Sequence, residues 1–155
     1  MPTFPTSILL VCLGNICRSP TAHAVLQQMA QQQGINLTID SAGTGDWHIG
    51  HTPDERAMNA AKSRGYDLSQ LRARQVEPDD FYRYDLILAM DRSNLKNLKK
   101  LAPKDATAQV ELFLPYGDSA TEEVPDPYFG GEGGFDHVLD LIENASRKIL
   151  ARYQG

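Results

Sequence analysis

Cys12 and Arg18 lie in the run Val11-Cys12-Leu13-Gly14-Asn15-Ile16-Cys17-Arg18-Ser19-Pro20. A thiol, five residues and an arginine-serine pair can build an anion site. If the five residues curl, their successive N–H groups point inward as a nest of donors. Gly14 and Asn15 are the types that best tolerate the positive φ of such a curl. A helix starting just beyond them adds its own N-terminal donors. Arg18 adds a planar fork able to grip two oxygens at once. Leu13, Gly14, Asn15, Ile16 and Cys17 are thus expected to cradle a tetrahedral oxyanion. Cys12 would lie beneath it, in a field that favours its thiolate. Thiolate attack on phosphorus gives a phospho-cysteine. The plainer reading makes Cys12 a small buried side chain and Arg18 a surface charge.

A thiolate that expels an aryl or alkyl oxygen needs an acid. Val124-Pro125-Asp126-Pro127-Tyr128 offers one, with prolines stiffening the chain on both sides of Asp126. Asp126 can protonate the leaving group and then serve as base for hydrolysis. Taken alone, the triplet Asp126-Pro127-Tyr128 reads as a turn.

The rest of the composition narrows the field. Hydrophobic residues make up 41% and charged residues 23% of 155, the usage of an ordinary globular chain. That length fits one domain spanning residues 1–155. Two cysteines are too few for a disulfide framework, so they point to reactivity. A net charge of −5 argues against a nucleic-acid partner. Ile8–Leu13 is the longest strongly apolar run, far short of the ~20 residues a membrane span needs. The N-terminal residues lack the basic segment of a secretory signal, so a cytoplasmic location is expected.

The elements must place Cys12 and Arg18 correctly. Ser7–Cys12 reads as a strand buried on both faces. Ser19 could cap a helix with Pro20 at its first position, running to Gln33 with Gly34 closing it. Leu37–Ala42 reads as a second strand and Gly43–His51 as a loop. Thr52-Pro53 opens a helix that ends near Arg64, with Gly65 beyond it. Pro78–Phe81 starts a short helix, and Leu86–Ala89 lies in a third strand. Asp91–Leu101 is helical. Gln109–Leu114 is a weaker fourth strand, and Gly117–Gly134 a long loop. Phe135–Tyr153 is an amphipathic helix with Phe135, Val138, Leu139, Ile142, Ile149 and Leu150 as its apolar set. Strands alternating with helices predict an α/β domain: a four-stranded parallel sheet with helices on both faces. Ligands bind beyond the carboxyl ends of such strands, where Cys12 stands.

Four segments together carry a family resemblance. Val11–Pro20, Ser41-Ala42-Gly43-Thr44, Met90-Asp91-Arg92-Ser93-Asn94-Leu95 and Asp126-Pro127-Tyr128 resemble the low-molecular-weight protein tyrosine phosphatases, in order and over nearly the whole length. The resemblance implies the phosphotyrosine phosphatase I-like fold and a two-step phosphatase that needs no metal or other cofactor. It implies phosphotyrosine-containing proteins as partners. Cys12 is like the family nucleophile, Arg18 like its phosphate-binding arginine and Asp126 like its general acid. Ser19 matches a hydroxyl that bonds the cysteine sulfur. Asn15 and Ser41 match a network that holds the loop. Trp47 and Tyr128 match aromatic walls flanking the substrate ring. Where many members carry a histidine of that network, this chain has Leu71. Cys17 matches a residue that can close a reversible disulfide with Cys12; its plain reading is a small side chain packed behind the loop.

His48 and His51 have a metal-like spacing but no further ligand nearby, so they read as surface loop residues. His23 and His137 read as structural or solvated helix residues, and Lys96, Lys99 and Lys100 as a solvated helix face. Three rival functions use the same loop: an arsenate reductase, a protein-arginine phosphatase and a phosphopeptide-binding module. The first lacks relay cysteines beyond Cys17, and the second typically has threonine where Ile16 stands. The sequence leaves monomer and weak dimer both open.

Overall fold

The computed structural model describes residues 4–127 and 133–153. Ten elements follow in order: β1 (Ser7–Cys12), α1 (Arg18–Gln32), β2 (Thr38–Gly43), α2 (Glu55–Lys62), α3 (Asp80–Arg83), β3 (Leu86–Ala89), α4 (Arg92–Leu101), β4 (Gln109–Leu112), α5 (Phe113–Tyr116) and α6 (Gly133–Ala151). The four strands form one parallel sheet in the order β2-β1-β3-β4. The sequence predicts this α/β sheet; the strand order emerges only in three dimensions.

The order reverses direction at β1, which has β2 on one side and β3 on the other. A crevice opens at such a switch point, beyond the strand ends. Alternation along β1 feeds two cores. Ile8, Leu10 and Cys12 join the helical layer of α1 and α6, with Val25, Leu26, Val138 and Ile142. Leu9 and Val11 face the other layer, with Phe81, Ile87 and Leu98. Ile8 through Val11 are fully buried. Each such side chain contributes roughly 1.5–3 kcal/mol, so Cys12 ends on a rigid platform. The expected apolar set of α6 is buried. Arg64, beyond α2, reaches Asp140 at 2.9 Å and Glu143 at 2.5 Å and ties that helix down.

Several local expectations need correction. Cys17, not Ser19, stands at the N-cap of α1, with no side-chain cap. Ser19 lies inside the helix because its hydroxyl is used by the site. Thr52 does not cap α2; Asp54 does, accepting from the backbone N of Arg56 and Ala57. The fourth strand stops at Leu112, and Phe113–Tyr116 is a helical turn. The last helix starts at Gly133, ahead of Phe135. Gly34 and Gly65 take positive φ, 70° and 89°, as helix-closing glycines should.

Candidate active site

Residues 13–17 carry the chain from the end of β1 to the first turn of α1. Asn15 is the pivot, with φ 57°, in the left-handed region that asparagine tolerates. Gly14 does not share that conformation. It lacks a Cβ for another reason: one built there would come within 2.9 Å of His48 Cδ2.

The buried side chain of Asn15 sits in a directed chain of hydrogen bonds. The backbone N of Arg74 donates to Asn15 Oδ1 at 3.1 Å. That contact fixes the carboxamide, so Nδ2 donates to Ser19 Oγ at 2.7 Å. Ser19 Oγ in turn lies 3.0 Å from Cys12 Sγ and 3.5 Å from Ala42 O; toward a thiolate, which can only accept, the hydroxyl is the donor. The backbone N of Asn15 donates to the same sulfur at 3.2 Å. Donors therefore converge on Cys12, which is 3% exposed. Arg74 is itself held by Asp80, which is fully buried, through Nη1 at 2.9 Å and Nη2 at 3.1 Å.

Arg18 is buried beside the sulfur. Its Nη1 donates to Asp91 Oδ2 at 2.7 Å and to the carbonyl of Val124 at 3.0 Å. Its Nη2 lies 3.7 Å from Asp126 Oδ2. Burial works against the charge, but Cys12, Asp91 and Asp126 outweigh it and raise the pKa of Arg18. At Cys17 the nearby cation, Arg56, is outweighed. Burial first, then Asp54, pushes its thiol up, so it stays protonated at neutral pH. Both cysteines are free thiols.

A cavity of about 210 Å³ opens above the sulfur, lined by Cys12, Leu13, Gly14, Ile16, Cys17, Arg18, Trp47, His48 and Asp126. That is below the roughly 300–1,000 Å³ of pockets for drug-sized ligands. It suits a single phosphorylated side chain. Trp47 is 66% exposed at the rim. Tyr128 lies outside the described residues. Among the described residues, no group of three or more His, Cys, Asp or Glu could hold a metal ion.

Three residues of the site escaped sequence reasoning. Asp91 reads as a helix start, and it does cap α4 through Asn94 N at 2.8 Å; its other oxygen grips Arg18. Arg74 carries no signal of its own in the sequence, yet its backbone N–H orients Asn15. His48 reads as a surface residue, yet it forms part of the cavity wall; its place next to Trp47 was the available signal. Ser41 pairs with His23, whose Nδ1 lies 3.1 Å from Ser41 Oγ. Leu71 packs against the core.

A loop between a parallel strand and a helix, with a thiol at its floor and a guanidinium on its flank, is the arrangement that a cysteine enzyme acting on oxyanions requires. The pattern of the family described as "Low molecular weight phosphotyrosine protein phosphatase" matches residues 7–154. The phosphatase of that name from Schizosaccharomyces pombe is 43% identical over 141 residues, 88% of this chain and 90% of its own. A protein tyrosine phosphatase structure from Entamoeba histolytica superposes with a TM-score of 0.90 at 38% identity, covering 96% of this chain and 97% of that one. The Drosophila arginine phosphatase DARP gives a TM-score of 0.89 at 32% identity, covering 96% and 98%. This chain belongs to the low-molecular-weight protein tyrosine phosphatase family, whose members are phosphoric monoester hydrolases.

Proposed function

We propose that residues 1–155 act as one phosphotyrosine phosphatase domain, with Cys12 as nucleophile, Arg18 as phosphate ligand and Asp126 as acid and base. The observation that carries this is the convergence of Asn15 N and Ser19 Oγ on Cys12 Sγ at the floor of a cavity that Arg18 and Asp126 also line. The loop N–H groups and the Arg18 donors not taken by Asp91 and Val124 hold the phosphoryl oxygens. Cys12 Sγ attacks phosphorus and the bond to the phenolic oxygen breaks. Asp126 gives that oxygen its proton. In the second step the Asp126 carboxylate takes a proton from water, the water oxygen bonds phosphorus, and the thiolate leaves. Ser19 Oγ–H and Asn15 N–H stabilise it as it departs. Trp47 flanks the substrate ring by stacking.

The partners in this reading are phosphotyrosine-containing proteins in the cytoplasm, met by a monomer or a weak dimer. No described helix is long and apolar enough to cross a membrane. The likeness to DARP makes a protein-arginine phosphatase the second reading. Ile16 weighs against it, because it lines the cavity with no hydroxyl to polarise a guanidinium phosphate. Turnover of phosphotyrosine, phosphoserine and phosphoarginine peptides, with arsenate plus glutathione as a fourth arm, separates the readings. Phosphotyrosine should dominate, and Cys12→Ser should abolish its turnover while phosphate still binds. Dominant phosphoarginine turnover, or a Cys12→Ser variant as active as the parent, would overturn the proposal.

A further inference from the structure

The cations of this acidic chain are unevenly placed. Arg92, Lys96, Lys99, Lys100 and Lys104 fall within one stretch that contains no Asp or Glu, although the net charge is −5. The four lysines are exposed. Among the described residues none of them enters an ion pair, whereas Arg92 is engaged by Glu122.

Two adjoining hollows lie beside them. One, of about 640 Å³, has Lys96, Lys99, Lys100 and Arg92 as its wall and Leu95 and Leu112 on its floor. The other, of about 560 Å³, continues from Leu95, Lys99 and Leu112 along Val110 and Glu111 of β4. Among the described residues that strand is the edge of the sheet, paired with β3 alone. An apolar floor, a basic wall and an open strand edge are the features that take an extended peptide. Glu111 on the floor disfavours an unbroken polyanion such as nucleic acid.

The groove also leads away from the catalytic cavity. Helix α4 begins beside Asp91, which bonds Arg18. At 1.5 Å per residue, Lys99 lies about 12 Å further on. About four extended residues span that distance.

We propose that this groove docks an acidic, extended segment of the phosphotyrosine substrate, with apolar side chains on the Leu95–Leu112 floor and carboxylates against Lys96, Lys99 and Lys100. It rests on the protein phosphatase reading and adds a substrate class to it. The test compares phosphotyrosine peptides with identical immediate neighbours. One set carries alternating Asp or Glu and Leu starting about four residues away, on either side; the other carries Ser at the acidic positions. The parent protein should favour an acidic peptide about tenfold in kcat/KM, through KM, as several exposed ion pairs would give. Added salt should shrink that preference. Lys96→Glu/Lys99→Glu/Lys100→Glu should erase it while turnover of a small aryl phosphate stays unchanged. Equal preference in parent and variant would overturn the groove. Loss of all turnover in the parent would instead strike the catalytic reading. Anisotropy of the unphosphorylated acidic peptide would then judge the groove alone. Binding to the parent but not the variant supports it; no binding, or capture of inorganic polyphosphate in its place, overturns it.

Discussion

In the proposed mechanism Cys12 and Asp126 divide the chemistry between a buried site and a more exposed one. Cys12 is buried and receives two donors, whereas the Asp126 side chain is 34% exposed and touches the site through Arg18. That division fits a nucleophile that must not move and an acid that must meet varied leaving groups. Asp126→Ala should therefore cost roughly 10²–10⁴ in kcat on a phenyl phosphate with a poor leaving group. It should cost far less when the leaving group is good. Equal losses across a leaving-group series would remove Asp126 as the acid. His23 makes a second prediction. Burial lowers its pKa from the ordinary 6.5, against the opposing pull of Asp40 and Gln27. The unfolded chain then takes up a proton at higher pH than the folded one. Its contribution to stability is intact above about pH 6.5 and falls as pH drops from there toward the lower folded value. Thermal unfolding of His23→Gln should show a shallower loss across that acid window; an unchanged slope would contradict it. The pairing of Cys12 with Arg18 was legible because residue type and short spacing suggest its chemistry; Asp126 was a candidate by its type and flanking prolines, in a triplet that alone reads as a turn. Arg74 and Asp91 were not legible, because they reach Asn15 and Arg18 from 59 and 73 positions away.

Between elements, a tight fit occurs where the end of β2 supports the anion loop. A Cβ on Gly43 would meet Leu13 O at 2.7 Å, Gly14 C at 3.1 Å and Asn15 N at 3.2 Å. All three are loop backbone atoms, with no flexible side chain to yield. Gly43 also donates to Arg74 O at 2.8 Å and accepts from Val76 N at 2.8 Å, so it lies between the loop and the segment that orients Asn15. Gly43→Ala should lower kcat/KM at least about tenfold, the scale of an overpacked contact, while the protein remains folded by circular dichroism. Parent-like kinetics would mean that the loop does not depend on this contact. The strands were readable from continuous apolar runs, as β1 and β3 illustrate. Helix starts were harder, because local signals compete. Ser19 has the type of a cap, but Asn15 and Cys12 claim its hydroxyl. Thr52-Pro53 resembles a start, but Asp54 holds the backbone N–H groups of α2.

At the level of the whole molecule, the site exists because β1 is central and fully covered. Its alternating faces join two separate cores, so the strand end carrying Cys12 is fixed from both sides of the sheet. The site draws on distant parts of the chain: the 13–17 loop, the Trp47 loop, Arg74, Asp91 and Asp126. Alternation of strands and helices foretold the parallel sheet, and the loop at the end of β1 foretold where a ligand would sit. How the remaining segments gather there depends on the order β2-β1-β3-β4, which local sequence patterns do not encode. The most direct test is to mix the protein with an aryl phosphate that has a good leaving group, quench within the first turnovers, and locate the phosphoryl group by mass spectrometry. One phosphoryl group should appear on Cys12, short-lived in the parent and longer-lived in Asp126→Ala. A phosphoryl group on any other residue, or turnover with none on Cys12 at any time, would contradict the account.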